Sequence, residues 1–240
     1  MNSRESSISG RLYGVGVGPG DPELLTLKAL RVIQNVAVLC VPQSETRQES
    51  YALGIVREFL DPAKQEVLRV TFPTDDAEGA AAAWRGCASA IADRLRRGQD
   101  VAFLTEGDPM LYSTFSYVLA GIREQHPALP VEIVPGVSSV MAAAAAAGVP
   151  LGANGQRFAI LPAVYGIDDL SEAIANYDTI VLMKVSHTLI KAVANLENLG
   201  LAGRGVFVRR ATTPGEKVVR DLHELSEEDI DYFSLLIITR

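Results

Sequence analysis

Short, continuous apolar runs recur along the chain, at Val36 to Val41, Val101 to Leu104, Val131 to Val134 and Thr179 to Met183. Runs of this kind read as strands buried on both faces. Between them lie segments with helical spacing of apolar positions. A first strand from Leu12 runs into a glycine-rich turn, with Asp21 as N-cap and Pro22 as first residue of a helix to about Asn35. Tyr51 to Leu60 reads as a helix stopped before Asp61-Pro62, and Val67 to Phe72 as a short strand. Ala77 to Arg97 reads as a long helix with Gly98 as its C-terminal cap. Arg94, Arg96 and Arg97 in its last turn suit the helix dipole and a solvent face. Val101 to Leu104 is followed by TEGDP and a helix through Gln125, and Val131 to Val134 ends in PGVSS.

A second set of elements follows. A helix over the alanine run Ala142 to Ala147 precedes strands at about Phe158 to Leu161, Thr179 to Met183, Val206 to Arg209 and Phe233 to Thr239. Helices are expected near Leu170 to Asn176 and Thr188 to Asn198. Strands and helices alternating over short connections predict an α/β protein. The organisation expected is two α/β lobes, 10–135 with a parallel sheet and 136–240, meeting near residue 135.

Composition narrows the class. The 240 residues are 48% hydrophobic and 21% charged, the balance of a globular protein. No apolar run approaches the roughly 20 residues that span a bilayer. The first nine residues, MNSRESSIS, lack the apolar core of a signal peptide and read as a frayed terminus. Two cysteines, Cys40 and Cys87, do not make a disulfide framework, so a cytoplasmic protein is expected. The net charge of −7 argues against a nucleic-acid surface, which needs clustered Lys and Arg. His126, His187 and His223 have no metal-ligand spacing, and no metal is expected.

Three strand ends carry the candidate chemistry: GVGPGDP at 16–22, LTEGDPMLYS at 104–113 and VPGVSS at 134–139. In a parallel sheet all strand carboxyl ends share one edge, so these loops can converge on one crevice. They can equally be scaffold turns. The first is not a dinucleotide fingerprint, because Pro19 and Asp21 stand where its last glycine would fall. Asp21 also puts a carboxylate where a pyrophosphate would sit at a helix N-terminus. Glu106 and Asp108 flank Gly107; carboxylates suit ribose hydroxyls, an amino group or a cationic centre, and repel phosphate. Asp108-Pro109 reads equally well as a helix N-cap followed by proline. Ser138 and Ser139 add hydroxyls and backbone N–H groups at a helix start. S-adenosylmethionine, with a sulfonium, an amino-acid end, a ribose and an adenine but no phosphate, fits this set better than NAD or ATP.

The motifs GVGPGDPELLTLKA, TEGDPMLYS, VEIVPGVSS and VLMK, in that order over essentially the whole chain, resemble the tetrapyrrole (corrin and porphyrin) methyltransferase family. LYGVGVGPGDPELLTLKALR, VPQS at 41–44 and EGDPMLYSTFSYVL resemble the branch that methylates C20 of precorrin-2 or cobalt-factor II. The resemblance implies a two-lobed enzyme of cobalamin biosynthesis, commonly a homodimer, binding S-adenosylmethionine in the ligand cleft between lobes. It implies cofactor contacts at Pro19, at Glu106, Gly107 and Asp108 with Leu111, at Ser138 and Ser139, at Met183 and at Ala211. Many relatives have two glycines before Asp-Pro, where this chain has Glu106-Gly107. The reaction implied is in-line attack of C20 on the sulfonium methyl, with S-adenosylhomocysteine as product. No general base is assigned; Asp108, Glu106, Tyr112 and Tyr117 are the candidates.

Such a substrate is ringed with carboxylates and needs local cations. Arg209 and Arg210 lie in a basic segment from Arg204 to Arg220, with Lys184 and Arg47 as further candidates. The acidic block that follows, from Asp221 to Asp231, can instead pair with them on the surface. The alternatives are a member of the fold acting on uroporphyrinogen, a later corrin intermediate, ribosomal RNA or a protein histidine. A non-catalytic S-adenosylmethionine-binding protein or a nucleotide-dependent oxidoreductase would belong to a different class. The acidic balance disfavours RNA, and the broken dinucleotide pattern disfavours the oxidoreductase.

Overall fold

A computed structural model describes residues 9–45, 49–73, 76–162, 167–185, 189–229 and 231–240. Arg47, His187 and most of the N-terminal segment expected to fray lie outside the described residues. The chain divides into two compact units, one ending at Ser138 and the other beginning at Ser139.

The first unit is built on five strands: β1 (Leu12–Gly16), β2 (Val38–Ser44), β3 (Glu66–Phe72), β4 (Val101–Thr105) and β5 (Val131–Val134). They lie in the order β3-β2-β4-β1-β5, every pair parallel. All five residues of β4 are buried, as its unbroken apolar run requires when helices cover both faces. On one face, α1 (Leu27–Asn35) and α2 (Tyr51–Val56) pack Val32, Ile33, Leu53 and Val56 against Val15, Leu39 and Leu104. On the other, α3 (Ala77–Arg96) and α4 (Phe115–Gln125) pack Ile91, Leu95, Phe115 and Ile122 against Leu12, Cys40 and Phe103. The connections leaving neighbouring strands β1 and β4 therefore turn to opposite faces. That is where an open α/β sheet leaves room for a ligand.

Three helix starts differ from the pattern-based reading. Asp21 caps only a 3₁₀ turn over Pro22–Leu24, accepting the Glu23 N–H at 2.8 Å. Leu25 is extended, and Thr26 starts α1 by accepting the Ala29 N–H at 3.1 Å. No helix begins at Asp108-Pro109; the chain turns through Ser113, and α4 starts at Phe115. The helix over the alanine run, α5 (Ser139–Ala147), starts three residues before Ala142. At the end of α3, Arg94 does not face solvent but bonds Glu66 of β3, which raises its already high pKa.

The second unit holds α5, α6 (Ile167–Asn176), α7 (Leu189–Asn198) and a mixed sheet ordered β6-β7-β10-β8-β9. Its strands are β6 (Phe158–Pro162), β7 (Thr179–Met183), β8 (Gly205–Arg209), β9 (Lys217–Val219) and β10 (Ser234–Thr239). β6 and β7 are parallel, whereas β10 runs antiparallel between β7 and β8. Helix α5 packs on β8 and β10. Leu170 of α6 and Leu196 of α7 join Ile180, Phe207 and Leu236 in a second core. No helix among the described residues is long and apolar enough to cross a membrane.

Candidate functional site

In the first unit three glycines close on one another at the carboxyl edge of the sheet. Gly16 ends β1, Gly107 follows β4 and Gly136 follows β5. A Cβ on Gly16 would stand 2.5 Å from the Gly107 carbonyl oxygen and 2.7 Å from the Gly136 nitrogen. A Cβ on Gly136 would stand 2.2 Å from the same oxygen. No other residue type fits such a backbone contact. The loops are then tied. Gly107 donates its N–H to the Gly18 carbonyl at 2.7 Å, and both residues have positive φ, 65° and 81°. Val17 donates to the Thr105 carbonyl at 2.9 Å. Pro19 is buried, and its carbonyl accepts the Tyr51 hydroxyl at 3.4 Å.

Asp108 fastens the third loop. Its Oδ1 accepts the Met110 N–H at 2.8 Å and its Oδ2 the Gly136 N–H at 3.0 Å. Both carboxylate oxygens are thus engaged in holding loops together. Beside it, Thr105 and Ser113 share a hydroxyl–hydroxyl bond of 2.9 Å, and Ser113 Oγ accepts the Phe115 N–H, which sets the start of α4. Glu106 and Leu111 are half-buried on this loop, as is Ser138 after Gly136. Pro19, Glu106, Gly107, Asp108 and Leu111, with Ser138, therefore occupy the ends of β1, β4 and β5. Ser139 opens α5 and belongs to the second unit.

In the second unit, β10 begins between the ends of β7 and β8, with Leu235 opposite Met183 and Ser234 opposite Arg209. Met183, Lys184, Arg209, Arg210 and Ala211 are thereby brought to one sheet edge. Met183 and Ala211 are buried. Lys184, at φ 59°, donates its backbone N–H to the Ser234 carbonyl at 3.1 Å, and its ammonium lies 5.2 Å from the centre of the Tyr232 ring.

The arginines are already occupied. Arg209 donates to the Glu228 carbonyl at 2.8 Å and sits 3.5 Å from Asp229, which Lys217 also reaches at 2.7 Å. Asp229 is 1% exposed. Burial works to raise its carboxyl, but the Lys217 ammonium and the Ser226 N–H and hydroxyl outweigh it and hold the group below its ordinary value. Arg210 bonds Asp231 at 2.7 Å. The basic and acidic blocks thus pair with each other, Arg209 in a buried cluster and Arg210 at an exposed edge. Among the described residues, the two buried side-chain polar atoms without a partner are Arg209 Nε and Ser234 Oγ, which adjoin in the sheet register.

Backbone strain concentrates at the same places. Among the described residues, positive φ outside glycine occurs at Tyr112 (49°), Lys184 (59°), Arg210 (47°) and Thr212 (69°). Each adjoins a residue singled out from sequence: Leu111, Met183, Arg209 or Ala211. Left-handed backbone costs such residues about 1–2 kcal/mol each and tends to cluster at ligand sites. Sequence reasoning missed the closing of Gly16, Gly107 and Gly136 on one another, although each glycine follows an apolar strand. It also missed the buried carboxylate of Asp229. Among the described residues no cluster of His, Cys, Asp and Glu is arranged to hold a metal ion.

The chain is 39% identical over 235 residues to a probable cobalt-precorrin-2 C(20)-methyltransferase of Methanocaldococcus jannaschii, covering 96% of each. It is 34% identical over 238 residues to the cobalt-precorrin-2 C(20)-methyltransferase of Salmonella typhimurium, covering 97% of this chain and 98% of that one. Among solved structures it resembles the uroporphyrin-III C-methyltransferase of Thermus thermophilus complexed with S-adenosylhomocysteine. There the TM-score is 0.66 at 29% identity, over 96% of this chain and 92% of that one. The profile of the family Tetrapyrrole (Corrin/Porphyrin) Methylases matches residues 11–225. The chain belongs to this methyltransferase family.

Proposed function

We propose that this protein transfers a methyl group from S-adenosylmethionine to C20 of precorrin-2 or of its cobalt-bearing form, a step of cobalamin biosynthesis, releasing S-adenosylhomocysteine. The acceptor is supported by the two relatives named for C20 methylation, which this chain matches over nearly its whole length. The observation that supports the methyl-donor site is the meeting of Gly16, Gly107 and Gly136, a close contact of three loop backbones at the carboxyl edge that a single added Cβ would break.

The residues fit the cofactor's chemistry. Gly107 and Gly136 permit close approach of a ligand to the main chain. Glu106 supplies a carboxylate for the ribose hydroxyls or amino group, and the loops that follow β1, β4 and β5 carry no lysine or arginine that would favour a phosphate. Pro19, Glu106, Gly107, Asp108, Leu111 and Ser138 are the first unit's contacts. Ser139, Met183 and Ala211 are the second unit's. When bound, S-adenosylmethionine supplies a methyl group already activated on a sulfonium centre. What the protein must add is chiefly position, which supplies about 7–11 kcal/mol in favourable cases.

Asp108 positions rather than abstracts a proton. Both its carboxylate oxygens already accept N–H groups, that of Met110 in its own loop and that of Gly136 in the next. The substrate's carboxylates fall to Lys184, which has no acidic partner among the described residues, and to Arg210, whose exposed pair with Asp231 is exchangeable. Arg209 is held by Asp229 and Glu228 and serves that edge mainly by shaping it. The two free thiols, Cys40 and Cys87, support a reducing, cytoplasmic setting, and the family resemblance supports a homodimer.

Anaerobic incubation with ¹³C-methyl-labelled S-adenosylmethionine and precorrin-2, or its cobalt form, tests the reading. One methyl gained by mass, with the label at C20, is the expected product. A label on another ring carbon would move the protein to another member of the fold. Firm cofactor binding with no transfer to either macrocycle would make it a binding protein.

A further inference from the structure

Tyr117 follows the candidate loop at the start of α4, and its side chain stands outward, with the residue 62% exposed. It is backed by an aromatic ladder. Its ring stacks on Trp84 of α3 at 6.2 Å between centroids and 16° between planes, and Trp84 meets Phe72 at 4.7 Å. Trp84 is 6% exposed, so the ladder runs from the core outward. Phe72 ends β3, and Tyr117 lies in the first turn of the helix that follows β4. In an all-parallel sheet both positions belong to the carboxyl edge, the edge that holds the three glycines. Met110 and Tyr112, on the loop leading into α4, are also exposed, at 58% and 47%.

An exposed tyrosine alone needs no explanation. One supported from behind by a buried tryptophan, on the edge that carries the ligand loops, is a rigid apolar platform. We infer that the outer face of Tyr117 is the shelf on which the acceptor macrocycle lies, selecting a broad, flat ligand with apolar faces and a charged rim. This rests on the reading that the acceptor is a tetrapyrrole. The ring, not the hydroxyl, is the working group. Stacking against a preorganised ring loses little conformational freedom on binding, because Trp84 already fixes the plane of Tyr117.

The test compares wild type, Tyr117→Ala and Tyr117→Phe by absorbance titration of precorrin-2 or its cobalt form, with parallel calorimetry of S-adenosylhomocysteine. Truncation to alanine is expected to weaken macrocycle binding about tenfold, while phenylalanine stays within about twofold of wild type. Cofactor affinity and melting temperature are expected to hold in both variants. Wild-type macrocycle affinity in the alanine variant overturns the shelf, as does a phenylalanine variant as weak as alanine, or a parallel loss of cofactor affinity. Failure of the wild-type protein to bind either macrocycle overturns the tetrapyrrole reading together with the shelf.

Discussion

The first unit shapes its sheet edge by leaving side chains out, at Gly16, Gly107 and Gly136, so that three loops touch through their backbones. The second unit shapes its edge with side chains, at Lys184, Arg209 and Arg210, and stabilises strained backbone beneath them with ion pairs to Asp229 and Asp231. The difference follows from topology. Five parallel strands bring their carboxyl ends and loops to one edge, where space is short and only glycine fits. In the mixed sheet, the start of β10 lies between the ends of β7 and β8. Longer side chains there have room to extend and need partners. An edge of bare, close-packed backbone suits a ligand recognised by close fit, and a charged edge suits one recognised by its carboxylates.

The contrast breaks most visibly at Gly16. Gly16→Ala places a Cβ against the Gly107 carbonyl and the Gly136 nitrogen. It is expected to lower stability by about 3 kcal/mol in urea denaturation. A cost near zero would mean the loops can part freely, and their contact would not be a fixed feature.

On the other side, Asp229→Ala removes a buried carboxylate from Arg209 and Lys217. Its expected cost is about 2 kcal/mol, below the 3–5 of a fully buried pair because Lys217 reaches water. Cofactor affinity should stay intact, in contrast with changes at the glycines. The effect has a pH signature. The folded carboxyl is held below its ordinary value, so its contribution is present above the unfolded pKa of about 3.9 and fades as pH falls through the folded value. The stability gap between wild type and Asp229→Ala should therefore begin to narrow below about pH 4 and close only once the pH is below the folded carboxyl's lowered value. A gap that persists there would assign the loss to packing instead.

Asp108→Asn sharpens the role of the loop tie. An amide keeps one accepting oxygen for two N–H donors, so about 1–2 kcal/mol of loop order is lost, read as roughly a tenfold weaker S-adenosylhomocysteine Kd. An unchanged Kd would remove Asp108 from the cofactor site. Arg210→Ala is the mildest of the four. An exposed pair is worth about 0.2–1 kcal/mol, so stability should barely move while the macrocycle Kd rises several-fold. Equal loss of cofactor and macrocycle affinity would point to damage in the fold.

What was legible in the sequence was what depends on near neighbours. Buried strands such as Val101–Thr105 show as apolar runs, and the glycine loops after them show by composition. Helix starts were misread where two caps compete. Asp21-Pro22 satisfies the N-cap rule, yet Thr26 starts the α-helix because Leu25 is extended. β9 escaped notice because three residues, Lys217–Val219, carry too little alternation to register as a strand. Long-range pairings were legible only as blocks of opposite charge, not as residue pairs. Arg210 and Asp231 lie 21 residues apart, and the Cys40 and Cys87 sulfurs, 3.8 Å apart, are separated by 47. The same holds for the meeting of the three glycines. Each loop was readable alone, but their contact is a product of strand order β4-β1-β5, which no local pattern encodes.

Calorimetric titration of S-adenosylhomocysteine into wild type and Gly136→Ala tests the central claim most directly, with circular dichroism to show that the variant is folded. The added Cβ would stand 2.2 Å from the Gly107 carbonyl oxygen. A folded variant whose affinity falls about a hundredfold, roughly 2.7 kcal/mol, is the predicted result. A folded variant that binds as tightly as wild type would contradict it, because the cofactor would then not depend on the joined loops.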